Sequence, residues 1–431
     1  MTTEMSLGTS KTDITPPLPV RLGGFDFRRE PCVQTGMPVF ARCFVFNRQF
    51  AVVSLELLFA GDNLDRQIRA ALVQIPALAA LDVIITATHS HCSLQTADNH
   101  SPRLGAYDAD YCAFVTQRVI DGLEQALNSG QPVTAHITTT DCPPAVHRRL
   151  MTEGRITMAP NPQEPVDTTI TLVRFTGRDT QVRAVLMHCQ CHPTITGDNI
   201  LSGEYPGVVC DETEARYPSA VCLMLQGFCG DIRPDLSHNG QFYRGDYAQM
   251  QRLGKQLADN CLTALNRDDL PALSFSARPF MNHRVISLPL QPPLSEEQLI
   301  RFCDEHTPDT IEREWAQVKL AQLQHAEPLQ AARQITLTYL SLSPQLMLLT
   351  VSAEVVNHYQ QWLRCISPHI LGVGYSNGMA GYLPDARQIA EGGYEPDTSA
   401  YYFYLDAPFA PQAEYRFKEA VMHLSEEHTN V

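Results

Sequence analysis

The stretch DVIITATHSH, residues 82–91, joins an apolar run to two closely spaced histidines. Residues 82–88 are strand-sized and mostly apolar, which predicts a buried strand. Because side chains alternate along a strand, His89 and His91 would lie on one side if the strand continued through them. One imidazole could then bind a metal while its neighbour acts on the same reacting centre. The pattern alone leaves ordinary packed histidines as an equal alternative.

Strands and helices alternate on both sides of this stretch. A strand pair at 39–46 and 50–57 and a helix at 62–74 precede it, while residues 148–165, rich in Pro, Asn and Gly, predict an irregular loop. Further strands are predicted at 133–139, 168–175, 182–188, 220–226, 336–342, 346–351 and 370–373, and further helices at 107–127, 204–217, 245–265, 295–305 and 310–332. We therefore expect an α/β protein of the mixed α+β type, with mixed β-sheets flanked by helices. Residues 1–431 would form one domain with a helical insertion at about 290–333.

Composition excludes several functional classes. The chain has 431 residues, of which 47 are acidic and 32 basic, so its net charge is −15. Such a balance opposes binding to nucleic acids or anionic membrane surfaces. The longest apolar runs are strand-sized, which predicts no membrane insertion. The thirteen cysteines include no CxxC pair and predict buried thiols. The N-terminus lacks signal-peptide character, which predicts a cytoplasmic protein. The sequence does not predict the oligomeric state.

Four other segments place polar residues at or beyond strand ends. His192 follows the strand predicted at 182–188, and Arg233 lies in the loop GDIRPD at 230–235. Glu354 follows an apolar strand and is predicted to open a helix, where a carboxylate is favoured by the helix dipole. Tyr382 and Tyr394 belong to a tyrosine-rich irregular tail. The ordinary alternatives are a turn with a surface ion pair, a first-turn glutamate and aromatic packing.

Taken in order, these motifs resemble the catalytic domain of the neutral, non-lysosomal ceramidases from about residue 6 to 410. The motifs that carry the resemblance are KTDITP (11–16), THSH (88–91), CHP (191–193), GDIRPD (230–235), AE (353–354) and NGMAGYLPDARQIAEGGYE (377–395). The resemblance implies a ceramidase-like fold and a zinc ion. It assigns that zinc to His89, His192, Glu354 and Tyr382, a donor set that suits Zn²⁺ and leaves room for water.

The resemblance also implies hydrolysis of a linear amide. Zinc-bound hydroxide would attack the carbonyl, and His91 would act as general acid or base. Tyr394 would donate a hydrogen bond to the oxyanion that develops on the carbonyl. Arg148 would contact the substrate, with Arg149 as the alternative for that position.

Two departures from the ceramidase pattern change the expected substrate. Arg233 stands where ceramidases have a serine, and neither a signal peptide nor a β-rich C-terminal domain is evident. A guanidinium at the rim of the site matches a carboxylate or phosphate, so we expect a small, soluble, anionic amide rather than ceramide.

Two alternatives to amide hydrolysis in this fold stay open, and two other metal-hydrolase folds fit the sequence less well. The same site could cleave an ester or lactone, or the protein could be an inactive relative that binds a ligand or a partner. The metallo-β-lactamase pattern HxHxDH is not met, because Ser93 and Leu94 occupy its last two positions. An amidohydrolase barrel would place HxH on its first strand, whereas two predicted strands precede His89.

Overall fold

The computed structural model describes residues 4–141 and 145–426. Within these ranges the β-strands are β1 (Met5–Asp13), β2 (Phe40–Phe46), β3 (Phe50–Leu55), β4 (Asp82–Ala87), β5 (Gln131–Asp141), β6 (Ala145–Thr152), β7 (Arg155–Asn161), β8 (Thr169–Gly177), β9 (Val182–Cys189), β10 (Val221–Gln226), β11 (Ile232–Pro234), β12 (Ser237–His238), β13 (Gln241–Phe242), β14 (Ala272–Leu273), β15 (Phe280–Pro289), β16 (Ala332–Ser343), β17 (Leu346–Val351), β18 (Glu354–Val355), β19 (Ile370–Val373) and β20 (Tyr382–Leu383). The α-helices are α1 (Asp62–Leu72), α2 (Ala109–Asn128), α3 (Glu204–Arg216), α4 (Tyr247–Leu265), α5 (Glu296–Glu305), α6 (Ile311–Gln324), α7 (Asn357–Ile366), α8 (Ala386–Glu391), α9 (Ser399–Tyr402) and α10 (Gln412–Glu426).

A mixed sheet forms the centre of the molecule. Its strand order is β10-β9-β8-β5-β1-β2-β3-β4, with β14 added to β5. The outermost pairs, β10 with β9 and β3 with β4, are parallel, and the pairs between them are antiparallel. Because β4 and β9 run directly into the histidine motifs, the two ends of this sheet supply the predicted site residues.

A second sheet, β15-β16-β17-β19, packs face to face on the first. Their shared core joins Phe44 and Leu225 of the large sheet to Leu340 and Leu348 of the smaller one. Alternate residues of β17, such as Leu349, contribute to a different core on the opposite face, as strand alternation requires. Single bridges, Thr86 to Ser376 and Gly227 to Val373, connect the two sheets close to the histidines.

Helices cover the outer faces of both sheets. The apolar stripes of α1 and α2 pack in the core that contains alternate residues of β2 and β3, and those of α3 and α4 pack on β8, β9 and β10. Helices α7 and α10 pack against the smaller sheet. The predicted mixed α+β class, with mixed sheets flanked by helices, is therefore confirmed.

The loop predicted at 148–165 is wrong for most of its length. Strands β6 and β7 form a hairpin there, and β11 pairs with β6 on the other side. Glu153 and Gly154 have φ angles of 51° and 78°, as a two-residue hairpin turn of type I′ requires. The content of Pro, Asn and Gly indicated a loop, whereas these residues mark the turn and the ends of the two strands. Arg148 consequently lies on a strand.

Two predicted helix boundaries also differ from the structure. Glu354 does not open a helix: it lies on the short strand β18, which pairs in parallel with β20, and α7 begins at Asn357. Helix α6 ends at Gln324 rather than near 332. The predicted insertion contains α5 and α6, which lie between the hairpin partners β15 and β16. Among the described residues, none of the helices has the length and apolar character needed to cross a membrane.

Candidate metal centre and adjoining cavity

Three histidines meet at the ends of β4 and β9. His89 and His91 follow β4, and His192 follows β9. The chain leaves the strand conformation at His89, whose φ is 61°, so a tight turn rather than continued strand alternation brings His89 and His91 together. All three side chains are buried.

The Nε2 atoms of these histidines form a small triangle. The three Nε2–Nε2 distances are 3.1 Å for His89–His192, 3.1 Å for His89–His91 and 3.0 Å for His91–His192. The three residues also form a group whose ligand atoms are close enough to hold a metal ion together. Zinc–nitrogen bonds of about 2.0–2.1 Å need ligand nitrogens at about this separation.

Backbone carbonyls select the ring form of two of the histidines. The Nδ1 atom of His89 lies 2.8 Å from the carbonyl oxygen of Leu58, and that of His192 lies 3.2 Å from the carbonyl oxygen of Cys229. A carbonyl only accepts hydrogen bonds, so both Nδ1 atoms donate and both neutral rings turn an Nε2 lone pair inward. Two facing lone pairs cannot bond to each other, and a cation between them satisfies both.

Glu354 adds a carboxylate to this group. Its Oε2 lies 3.6 Å from the Nε2 of His89, and its Oε1 lies 3.8 Å from the Nε2 of His192. The Oε1 atom is buried and has no hydrogen-bond partner among the described residues. An unpartnered buried carboxylate oxygen is costly unless a ligand satisfies it, so it also fits a metal.

Tyr382 is the cross-strand neighbour of Glu354 in the β18–β20 pair. Its hydroxyl oxygen accepts a 3.1 Å hydrogen bond from the Nη2 of Arg148. Burial, followed by the charge of Glu354, raises the pKa of Tyr382 well above its ordinary value. The donor set predicted from the sequence therefore lies together at the ends of β4, β9 and β18, with Tyr382 beside Glu354.

Burial keeps the imidazoles of His91 and His192 neutral. It lowers the pKa of His91 and of His192 well below 6.5, and the neighbouring His89 lowers both further. Neutral imidazole is the form that binds metal ions.

His91 differs from the other two histidines in its second ring nitrogen. Its Nδ1 is buried and has no hydrogen-bond partner among the described residues, so no carbonyl fixes its tautomer. Gly24 approaches this nitrogen so closely that a Cβ atom on Gly24 would lie 2.4 Å from it. The backbone at Gly24 therefore leaves no room for a side chain beside this nitrogen.

A cavity of about 210 Å³ opens onto this group. Six of the eight predicted site residues line it, namely His91, His192, Arg148, Arg233, Tyr382 and Tyr394, while His89 and Glu354 do not. The ring of Tyr394 meets that of Tyr382 edge to face at 5.5 Å. Aromatic rings, among them Phe25 and Tyr402, complete the wall.

The two candidate arginines on β6 differ in their surroundings. Arg148 lines the cavity, and its Nε donates to Glu395 at 2.7 Å. Arg149 donates to the other oxygen of Glu395 at 2.6 Å and to the carbonyl oxygen of Gly392, and it does not line the cavity. Of these two arginines, Arg148 is therefore the one that faces the cavity. Its Nε already donates to Glu395, and its Nη2 already donates to Tyr382.

Sequence analysis assigned no role to several residues that shape the site. Glu395 holds both arginines, and Tyr375 stacks on His89 with a ring distance of 4.0 Å. Arg244 and Phe25 line the cavity. Glu395 ends the motif GGYE and could have been found there, whereas Tyr375 and Arg244 carry no sequence signal because their partners are remote in the chain.

Two solved structures share this fold. Neutral ceramidase from Pseudomonas aeruginosa superimposes with a TM-score of 0.73 at 15% identity, over 97% of this chain and 73% of that one. A ceramidase described as complexed with C2 gives a TM-score of 0.72 at 14% identity, over 96% of this chain and 74% of that one. No protein-family model and no curated protein matches the sequence. The chain thus has a ceramidase-like fold, as its motifs predict.

Proposed function

We propose that the protein is a zinc-dependent hydrolase that cleaves the linear amide bond of a small, soluble, anionic substrate. The observation that carries the proposal is the triangle of Nε2 atoms, two of which are forced by carbonyl hydrogen bonds to turn lone pairs toward one point. The point between these nitrogen atoms lies at the edge of the cavity, where a substrate carbonyl can reach it. The ceramidase-like fold supports the same class of reaction.

The chain's own residues suit the parts of this reaction. His89, His192, Glu354 and Tyr382 would hold the zinc ion. When bound, zinc supplies a Lewis acid that polarises the amide carbonyl and activates water. Because the Nδ1 of His91 has no fixed partner, this ring can take either tautomer and carry a proton to the leaving amine.

Three further residues would face the carbonyl and the remainder of the substrate. Burial raises the pKa of Tyr394 well above its ordinary value, so its hydroxyl keeps its proton and can donate to the carbonyl oxygen as negative charge develops there. The guanidinium of Arg148 lies 5.6 Å from the centre of the Tyr394 ring and adds positive charge beside the same position. Arg233 supplies a further positive charge at the cavity wall, which favours an anionic substrate.

Metal analysis combined with turnover tests the proposal. Purified protein should contain about one zinc per chain, and His89→Ala should lose both zinc and amide hydrolysis. The matched control is His325→Ala, an exposed histidine on the far end of α6, which should keep both. Faster turnover of esters than of matched amides would assign the site to ester or lactone cleavage. Absence of zinc, with ligand binding unaffected by His89→Ala, would instead favour a binding protein.

A further inference from the structure

Arg233 is a buried cation without a counter-charge. Its side chain lies on β11, the residue is 7% exposed, and among the described residues no carboxylate oxygen lies within 4.0 Å of its guanidinium. The Sδ of Met158, at 4.0 Å, and the ring of Phe242, at 4.6 Å, are its contacts. Burial, Arg148 and Arg244 lower its pKa to about 9, so it is still charged at neutral pH.

Arg244 stands at the mouth of the same cavity, in the loop before α4. Its guanidinium carbon lies 4.6 Å from the centre of the Phe25 ring and 4.8 Å from that of Phe27. Within the described part of the chain, no carboxylate oxygen lies within 4.0 Å of this guanidinium either. The two phenylalanine rings hold the side chain flat against the wall and leave its N–H donors open to the cavity.

The other charged side chains that line the cavity already have ion-pair partners. Arg148 is paired with Glu395, and Asp26 is paired with Arg103 at 3.2 Å. Arg28, behind Phe25, has no carboxylate partner among the described residues either, but it donates to three backbone carbonyls and does not line the cavity. Arg233 and Arg244 are therefore the arginines of the cavity wall that have no carboxylate partner among the described residues. They provide local positive charge in a chain whose net charge is −15.

We propose that Arg233 and Arg244 together form a subsite that binds an oxyanion of the substrate, a carboxylate or a phosphate, a few bonds from the scissile amide. This inference rests on the proposed hydrolase function and names the part of the substrate that sets specificity. Arg244 contacts the Phe25 ring at 4.6 Å, and that ring lies 4.7 Å from the His91 ring, so two short contacts join the guanidinium to the histidines. An N-acyl amino acid has its carboxylate at a suitable spacing from its amide.

The expected effect of each arginine is a preference for anionic over neutral substrates. A hydrogen bond to a charged group contributes enough for a change in affinity of roughly ten- to hundredfold. Arg233 should contribute more than Arg244, because Arg233 is shielded from solvent.

Matched substrate pairs test the subsite. The probes are N-acylglycines with acyl chains of two to eight carbons, the corresponding neutral N-acylglycinamides and the corresponding aminomethylphosphonates, each assayed for kcat/KM and for binding by calorimetry. We expect an anionic probe to exceed its neutral partner at least tenfold in both. Arg233→Gln and Arg244→Gln should reduce that ratio, and the double variant should abolish it. Whether carboxylates or phosphonates show the larger ratio identifies the oxyanion.

Arg252→Gln is the matched control. Arg252 is an exposed arginine on α4, eight residues beyond Arg244, and the substitution removes the same charge away from the cavity. It should leave the ratio unchanged. A ratio near one for every pair in the wild-type protein, or equal losses in all three single variants, would overturn the subsite.

The two proposals fail in different ways. Arginine-dependent binding of anionic probes without turnover would overturn the hydrolase and keep the subsite. Turnover without any preference for anionic probes would keep the hydrolase and overturn the subsite.

Thermal stability provides a readout independent of turnover. Because the charge of Arg233 is buried and unpaired, Arg233→Met should raise Tm in the absence of substrate. Arg42, equally buried but paired with Glu56 and Glu214, provides the contrast, and Arg42→Met should lower Tm strongly. A comparable fall in both variants would show that Arg233 is a structural residue and would contradict the subsite.

Discussion

The orientation of each histidine ring distinguishes metal-binding candidates from packed histidines in this protein. His188 and His100 are also buried, but each uses Nε2 to bond a backbone carbonyl, that of Gly372 or of Met379. His89 and His192 bond carbonyls through Nδ1 and therefore present Nε2 to each other. Burial of a histidine is thus uninformative, because His188 and His100 also keep an unpartnered Nδ1; the difference is that the Nε2 atoms of His89 and His192 converge at 3.1 Å, whereas among the described residues neither Nδ1 atom belongs to a group of three ligands that could hold a metal.

Glu395 is a buried carboxylate shared by two buried guanidiniums. Its oxygens accept from the Nε of Arg148 and the Nη1 of Arg149, and all three side chains are at most 5% exposed. Glu395→Gln would leave Arg148 with neutral partners only, the new amide and the Tyr382 hydroxyl, and Arg149 with the partly exposed Glu391 as its counter-charge. We expect the free energy of unfolding to fall by about 3–5 kcal/mol, the range for breaking a buried ion pair, as measured by urea denaturation.

Glu391→Gln is the control for this prediction. Glu391 contacts Arg149 at 3.2 Å, but its side chain is 27% exposed, so its loss should cost no more than about 1 kcal/mol. Equal losses in the two variants would show that Glu395 does not act through burial of its charge.

At the scale of secondary-structure elements, the strands and the residues at their ends were predictable because burial leaves a sequence signal. The apolar run at 82–88 became β4, and His89 and His192 follow their strands as expected. The local path was less predictable: alternation along a strand does not explain how His89 and His91 meet, because the chain turns at His89. The sequence did not predict hairpin β6–β7, because the Pro, Asn and Gly content of residues 148–165 indicates a loop.

Contacts between remote elements left no pattern in the sequence. Arg148 and Glu395 are 247 positions apart in the chain, and their pairing depends on how β6 meets the turn after α8. The same holds for Tyr375, whose ring covers His89. The ceramidase resemblance could nominate candidate metal donors, but residue identity and spacing could not predict the side chains that orient them.

The N-terminal loop controls the free side of His91 through Gly24. This glycine has a φ of 93°, and an added Cβ atom would meet the His91 ring. Gly24→Ala should therefore displace the ring that we propose to carry the proton. On the best amide substrate, we expect kcat to fall by roughly a hundredfold, within the range of general acid–base contributions, while the zinc content of the protein stays constant.

Gly240→Ala separates backbone strain from displacement of His91. Gly240 has a comparable φ of 72°, but an added Cβ would have no heavy atom within 4 Å. Gly240→Ala should lose about 1 kcal/mol of stability through backbone strain, and Gly24→Ala should lose at least as much because its Cβ also collides with His91, whereas kcat should fall in Gly24→Ala alone. Loss of zinc from Gly24→Ala would assign His91 to the metal rather than to proton transfer.

At the scale of the whole molecule, Asp231 ties four separate segments together behind the cavity. It lies just before β11, its Oδ2 contacts the Nε2 of His147 at 3.2 Å, and its backbone carbonyl accepts from the backbone N–H of Arg148. Its Oδ1 accepts from the backbone N–H of Asn357 at the start of α7, and its Oδ2 also accepts from Gln388 of α8. The carboxylate thereby connects β6 and β11, which carry Arg148 and Arg233, with α7 and α8, which follow the paired strands β18 and β20 that carry Glu354 and Tyr382.

The ion pair within this junction makes stability depend on pH. Burial alone would lower the pKa of His147, but the hydrogen bond and charge of Asp231, aided by Glu164 and Glu395, raise it above 6.5. A raised histidine pKa stabilises the fold fully below the unfolded value, and this contribution is lost as pH rises through the folded value. Burial opposes ionisation of Asp231, but His147 lowers its pKa below 3.8, so its contribution is lost only in stronger acid.

The contribution of the pair is consequently greatest between about pH 4 and 6.5, the ordinary pKa values of the two side chains. Asp231→Asn should therefore cost more free energy of unfolding at pH 5.5 than at pH 8.5, because the charge of His147 is lost as pH rises through its raised pKa. Urea denaturation at the two pH values, with a chelator present so that metal binding does not contribute, measures the difference. His147→Gln should reproduce the same trend, because either change removes the pair, and an equal cost at both pH values would show that the junction acts through neutral hydrogen bonds alone.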